Sequence, residues 1–229
     1  MFEVIVANPM FGVTISFLLF ELGVAIQNKT KSLIANPLLI CAALVIVVLK
    51  VFDISYEEYN NGARFISMFL APCTALLAVN IYRSLDTIKQ YLLPILCGTF
   101  AASLSSMGCI YLLCKLFKLD DQLMCSLLPK SVTTAIAMPL ASMTGGIESL
   151  LVAATSATGI LCAVIAPLLV KVFRFRNPVA AGIAIGSSGH AVGTATAIKL
   201  GPVQGATSGI AIGLSGLFTV LIYSVLFRV

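Results

Sequence analysis

The chain has 229 residues, 59% of them hydrophobic and 10% charged, with a mean hydropathy of +1.07. A soluble domain needs more polar surface than this composition supplies, so an all-α integral membrane protein is expected. The net charge of +5 does not point to nucleic acid, because the basic residues fall mostly in short connections between apolar runs, where they act as topology signals.

In chain order, apolar runs near 9–26, 33–52, 65–82, 91–114, 147–170 and 203–227 each approach the ~20 residues that a helix needs to cross the hydrocarbon. The N-terminus shows no basic stretch followed by a small-residue cleavage site, so the first run is expected to be retained as a span. Asn36 before Pro37 and Ala71 before Pro72 mark local breaks, and Asn80 is a polar residue within a span. Two further segments, about 123–145 and 179–200, are long enough to cross but rich in Gly, Ser, Thr and Pro, and each carries a lysine.

The charges bear on whether these two segments cross. If neither does, one side receives Lys29, Lys31, Arg83, Lys89, Lys171, Arg174 and Arg176 against Asp86. The other side receives Lys50, Arg64, Lys115 and Lys118 with Asp53, Glu57, Glu58, Asp120 and Asp121. The first side reads as cytoplasmic. This predicts six full transmembrane helices plus two re-entrant broken-helix segments, one from each face; eight spans is the alternative, which the charge rule leaves open.

A shift of 56 residues lays Ser131 on Ser187, Ala135 on Ala191, Ala141 on Ala197, Gly145 on Gly201 and Glu148 on Gln204. The chain is read as one domain, 1–229, containing copies 122–172 and 178–228. If each copy is one non-crossing segment plus one span, successive copies point in opposite directions, giving an inverted repeat with a binding site near the midplane.

Irregular backbone persists at membrane depth only when buried in protein or lining a wet cavity. In the first copy, Pro129 and Pro139 bracket Lys130, Ser131, Thr133 and Thr134, as expected for a short helix started after Pro129 and broken near Pro139. Its N-terminus would attract an anion, and Lys130 would add a full positive charge. A lysine near a segment end also snorkels to the interface, and hydroxyls also serve as packing contacts, so those uses stand beside the functional one.

The second copy carries the only histidine, His190, among Gly186, Ser187, Ser188, Gly189, Gly193, Thr194 and Thr196. A lone histidine is commonly structural in soluble proteins; inside a membrane, an ionisable residue marks function by default, here anion binding or proton coupling. Lys199 reads as interfacial, and Glu148 as a helix N-terminal charge or a coupling site. Gly205, Gly209 and Gly213 form a small-residue face for close packing within the chain or across a homodimer.

Seven scattered cysteines, none in a Cys-x-x-Cys pair, read as reduced packing residues. One histidine and no intramembrane carboxylate pair cannot satisfy a zinc site, and no Gly-x-Ser-x-Gly elbow frames a nucleophile. Neither a cofactor nor an enzymatic activity is expected.

The stretches "LLPKSVTTAIAM", "GSSGHAVGTATA", "NPLL" at Asn36 to Leu39 and "LAPCTALLAVNIY" at Leu70 to Tyr82 resemble the LrgB/CidB family over nearly the whole chain. Ala135 stands where the family commonly has proline, and Gly189 where it commonly has serine. The resemblance implies either antiholin-like control of murein hydrolase activity and autolysis, or transport of small monocarboxylates such as pyruvate or glycolate. It also implies an LrgA/CidA-type membrane partner and a bacterial cytoplasmic membrane location. Under the transport reading, Lys130 and the helix start hold the carboxylate. Ser131, Thr133, Thr134, Ser188 and Thr194 then contact the other oxygens, and His190 binds substrate or couples protons.

Overall fold

A computed structural model describes residues 6, 8–30, 37–69, 72, 75, 76, 79, 82 and 89–228. The breaks expected at Asn36 and Ala71, the role of Asn80 and most of the run 65–82 lie outside these residues. Every regular element among them is helical. The chain divides into two units, 1–73 and 74–229.

In the first unit, α1 (Met10–Thr30) packs on α2 (Pro37–Val51) and on α3 (Tyr56–Ser67). Gly12 and Gly62 let two backbones meet: a Cβ on Gly12 would lie 2.7 Å from the Ala63 nitrogen, and one on Gly62 would lie 2.8 Å from the Gly12 nitrogen. Helix α3 occupies a stretch expected to be a charged connection. Ser55 starts it with a capping box, its hydroxyl accepting from the Glu58 N–H while the Glu58 carboxylate accepts from the Ser55 N–H.

The second unit holds α4 (Leu92–Leu116), α5 (Asp121–Leu127), a 3-10 turn (Leu128–Ser131) and α6 (Thr134–Met143). It continues with α7 (Glu148–Val172), α8 (Pro178–Leu200) and α9 (Pro202–Phe227). Among the described residues, α1, α4, α7 and α9 are long and apolar enough to cross a membrane. Leu93, Leu112, Leu161 and Val225 project outward from the last three. Such a surface opposes folding in water but is well solvated by lipid.

Helices α4 and α7 each have 25 residues and begin 56 positions apart. Each ends in the same chain reversal. Lys118 and Arg174 take left-handed conformations, with φ of 52° and 50°, and the next N–H closes back on the helix, Leu119 to Cys114 and Phe175 to Val170. The extra match places Lys115 on Lys171 and Phe117 on Phe173, so the resemblance begins with residues upstream of the first copy read from sequence. Asp53 and Ile54 close α2 in the same way.

Both polar segments are broken. In the first, Val132 and Thr133 are extended between the 3-10 turn and α6. In the second, His190 interrupts α8 with φ 50° and ψ −138°. The position corresponding to His190 after the 56-residue shift is Thr134, one residue beyond the first break. Pro139, expected to break the helix, sits inside α6. Its missing N–H forfeits one hydrogen bond, while the buried Ala137, Leu140 and Ala141 keep the helix seated.

Each segment doubles back along α9. In α8, Gly182 abuts Gln204 and Thr207, Gly186 abuts Ser208, and Ser187 bonds Ser215, so 178–189 runs parallel to α9. Beyond His190, Thr194 bonds Ser208 and Ile198 abuts Gly205, so 191–200 runs antiparallel to it. Both ends of α8 therefore lie by the N-terminal end of α9. The first segment has both ends by the C-terminal end: Tyr223 donates to the Cys125 carbonyl at 3.3 Å and shares a 2.6 Å hydrogen bond with Thr144. Ser126 also accepts from the Ile147 N–H at 2.6 Å, tying the start of that segment to its exit.

Candidate functional site

The two segments meet near the middle of α9. Ser187 receives a hydrogen bond from Ser215 at 3.0 Å, and a Cβ on the neighbouring Gly216 would press on Ile136 of α6. Small residues are required at this level because both segments approach the helix there.

The first break contributes the charged group. Lys130 is half-buried in the 3-10 turn, four residues before α6 begins, and so is not at the helix start as expected. Its Nζ donates to Thr158 Oγ1 at 3.4 Å, and Thr158 donates in turn to the Ala154 carbonyl at 2.7 Å. This satisfies one of the three ammonium donors. Ser131 is buried and shares a short hydrogen bond with Ser106 of α4.

Thr133 occupies the N-cap of α6, where a threonine hydroxyl ordinarily accepts from the first turn. Here its carbonyl takes both the Ile136 and Ala137 N–H groups at 2.9 Å, and its hydroxyl caps nothing. Thr134 opens the helix and is partly buried. The helix N-terminus is thus uncapped by any side chain, leaving its positive dipole end directed at the break.

The second break contributes the imidazole. His190 is 5% exposed and lies against the backbone of Ser131, close enough to Lys130 to interact electrostatically. Its Nε2 has no hydrogen-bond partner among the described residues, and neither do Thr133 Oγ1 and Thr155 Oγ1. A buried polar atom left unpaired costs about 1–3 kcal/mol, so the His190 nitrogen and the Thr133 hydroxyl, one at each break, are suited to a polar guest. A lysine, an imidazole, hydroxyls and a helix N-terminus favour an anion.

Two expected contacts do not reach this centre. Ser188 is exposed and donates to the Ala184 carbonyl at 2.8 Å on the outer side of α8. Thr194 shares a 2.6 Å hydrogen bond with Ser208, serving the packing of 191–200 on α9. Lys199 is exposed near the end of α8, and Glu148 is exposed at the start of α7. Within the proposed glycine face, Gly205 packs against Ile198, whereas a Cβ on Gly209 would meet nothing within 4 Å.

The residues not anticipated are Ser106, Thr155, Thr158 and Ser215. Their signal was present as hydroxyls within apolar runs, Thr155 and Thr158 one turn apart in "AATSATGIL". No group of three or more potential metal ligands occurs among the described residues.

The family model described as LrgB-like matches residues 16–229. Antiholin-like protein LrgB of Bacillus subtilis (strain 168) is 37% identical over 219 residues, covering 95% of each chain. The proteins of the same name from Bacillus mycoides (strain KBAB4) and Bacillus cereus (strain B4264) are 35% and 34% identical over 216 residues, covering 94% of each chain. No solved structure matches. With an apolar helical architecture and a family match over nearly its full length, this membrane protein belongs to the LrgB-like family.

Proposed function

We propose that the chain transports small monocarboxylates, of the 2-oxo or 2-hydroxy acid class, across the bacterial cytoplasmic membrane. The observation that carries this reading is the junction of two opposed broken segments at the middle of α9, with Lys130, an uncapped helix N-terminus and the unpaired His190 nitrogen around it. A lytic pore requires no such convergence of buried, unpaired polar groups.

In this proposal the topology is six spans and two re-entrant segments arranged as an inverted repeat, with α5 to α6 entering from one face and α8 from the other. Lys130 and the start of α6 hold the carboxylate. Ser131, Thr133, Thr134 and Thr155 meet the remaining oxygens. Thr158 positions the ammonium, and His190 binds substrate and carries a coupled proton. Access alternates as one segment moves against α9 and the other stays seated. A homodimer and an LrgA/CidA-type partner are the proposed assemblies.

The names of the Bacillus relatives favour a second reading, an antiholin-like protein; in that reading the chain regulates murein hydrolase activity. Uptake of labelled pyruvate, glycolate and lactate into proteoliposomes separates the two. Transport predicts saturable uptake that is lost in Lys130→Ala and His190→Ala. A folded wild type without uptake, alone and with the LrgA-type partner, favours the regulator.

A further inference from the structure

The outer side of α8 carries a feature that the transport reading touches only at Thr158. Between α7 and 178–189 runs a groove of about 300 Å³. Its walls are apolar, formed by residues such as Leu161, Ile165, Ala166, Leu169 and Phe175; Thr158 and Ser188 supply the few polar atoms. Leu161 and Leu169 are 59% and 43% exposed, so the groove opens sideways to the hydrocarbon. An anion has no partner along such a wall, whereas an acyl chain does.

The end of the groove is different. Phe175 and Val170 line it, brought together by the turn in which the Phe175 N–H donates to the Val170 carbonyl at 3.0 Å. The same turn carries Lys171, Arg174 and Arg176, all exposed. No acidic residue occurs between Glu148 and the end of the chain, so no carboxylate within that stretch neutralises the three cations. Arg174 holds a left-handed conformation that more often falls to glycine, which places a cation beside the C-terminal end of α7. An apolar slot with basic residues at its interfacial end matches one ligand chemistry: an acyl chain beneath an anionic headgroup.

We propose that this groove is a specific seat for an anionic phospholipid, which props the arm of α8 leading to His190. Cys162 connects the seat to the break through two contacts. Cys162 lines the groove, its thiol donates to the Ile185 carbonyl at 3.9 Å, and a Cβ on Gly189 would collide with it. A lipid filling the groove limits the outward movement of 178–189 and thereby holds His190 at the junction.

The chain contains no tryptophan, so Phe175→Trp introduces a single tryptophan, excited selectively over the tyrosines, into the lining of the groove. The probes are bilayers of phosphatidylcholine containing increasing fractions of brominated dioleoyl phosphatidylglycerol or brominated dioleoyl phosphatidylcholine. Each basic residue near an anionic headgroup strengthens its binding about fivefold. The brominated glycerol lipid is therefore expected to quench at a mole fraction at least about fivefold lower than the choline lipid. Adding Lys171→Gln and Arg176→Gln reduces that preference towards unity, with the helical circular dichroism retained as the control for folding. Equal quenching by both lipids in the parent, or a preference unchanged by the two charge removals, overturns the proposal. Absence of quenching by either lipid also overturns it, because protein then covers the groove; Leu161→Cys cross-linking identifies a second copy as that cover.

Discussion

Lys130 of the first broken segment reaches Thr158 of the span that follows, 3.4 Å from Nζ to Oγ1, and that contact ties the charge to α7. Removing the charge and removing its guide therefore have separable effects. Lys130→Ala is expected to lower substrate binding by about tenfold or more, the order associated with a hydrogen bond to a charged group. Thr158→Val leaves the ammonium in place but unguided, so a smaller loss is expected, with the apparent affinity affected more than the maximal rate. Concentration-dependent uptake in proteoliposomes measures both, and equal losses in the two variants would remove the distinction.

His190 has a backbone conformation that suits glycine, with φ 50° and ψ −138°. Holding a side-chain-bearing residue there costs about 1–3 kcal/mol. His190→Gly is thus expected to raise the thermal unfolding midpoint in detergent while abolishing uptake. His190→Ala loses uptake without the stabilisation, since alanine retains a Cβ. A glycine variant less stable than the parent would show that the imidazole contributes more to folding than the strain removes.

The hairpin courses of the two segments lead to a labelling pattern. In a background without reactive cysteines, Asp121→Cys and Ser142→Cys are expected to react with an impermeant maleimide from one face. Arg176→Cys and Lys199→Cys are expected to react from the other. An eight-span arrangement instead places each pair on opposite faces, so vesicles of both orientations decide between the two.

Tyr223 is fully buried and clasps both ends of the first segment through Cys125 and Thr144. Tyr223→Phe keeps the ring and removes the clasp. Thr144 retains contacts to the Leu140 and Ala141 carbonyls at 3.2 Å, so the expected loss is about 1 kcal/mol. Thermal unfolding in detergent reads this loss, and an unchanged midpoint would show that ring packing alone seats α9 there.

At the start of α3, hydrogen bonds from the backbone and hydroxyl of Ser55 hold the Glu58 carboxyl below its ordinary range. A depressed carboxylate pKa stabilises the folded cap above the unfolded pKa, and that contribution is lost as pH falls through the folded value. Amide exchange at 56–59, corrected for intrinsic rates, should therefore accelerate relative to the rest of α3 on acidification. Ser55→Ala is expected to remove only part of that pH dependence, because the alanine N–H still donates to the Glu58 carboxylate while the hydroxyl contact is lost.

Much of this architecture could be read from residue order. Runs of apolar residues located α1, α4, α7 and α9 closely, because length and hydropathy act locally. The two polar segments stood out for the same reason. Helix α3 did not, because its charged residues suggested a connection; Gly12 meeting Gly62 is a tertiary fact. Lys130 lies off the helix start because the chain around Pro129 forms a 3-10 turn and the longer helix begins only after the extended Val132 and Thr133, a division that proline alone does not signal. Thr158 is not legible as a site residue in the sequence, because a threonine within a span is ordinary until a neighbouring segment brings a charge beside it.

Ser215 and Gly216 are consecutive, yet one meets the second broken segment and the other the first. A single peptide unit of α9 thus serves two bearings, reached from opposite ends of the helix. Bulk added at either position cannot be absorbed by relaxing that segment alone, because the backbone that would yield also sets the seat of the other. Compensating substitutions for a defect at one bearing are therefore expected on both segments, so a screen for second-site suppressors of a Gly216 variant would recover changes near Ser187 as well as near Ile136.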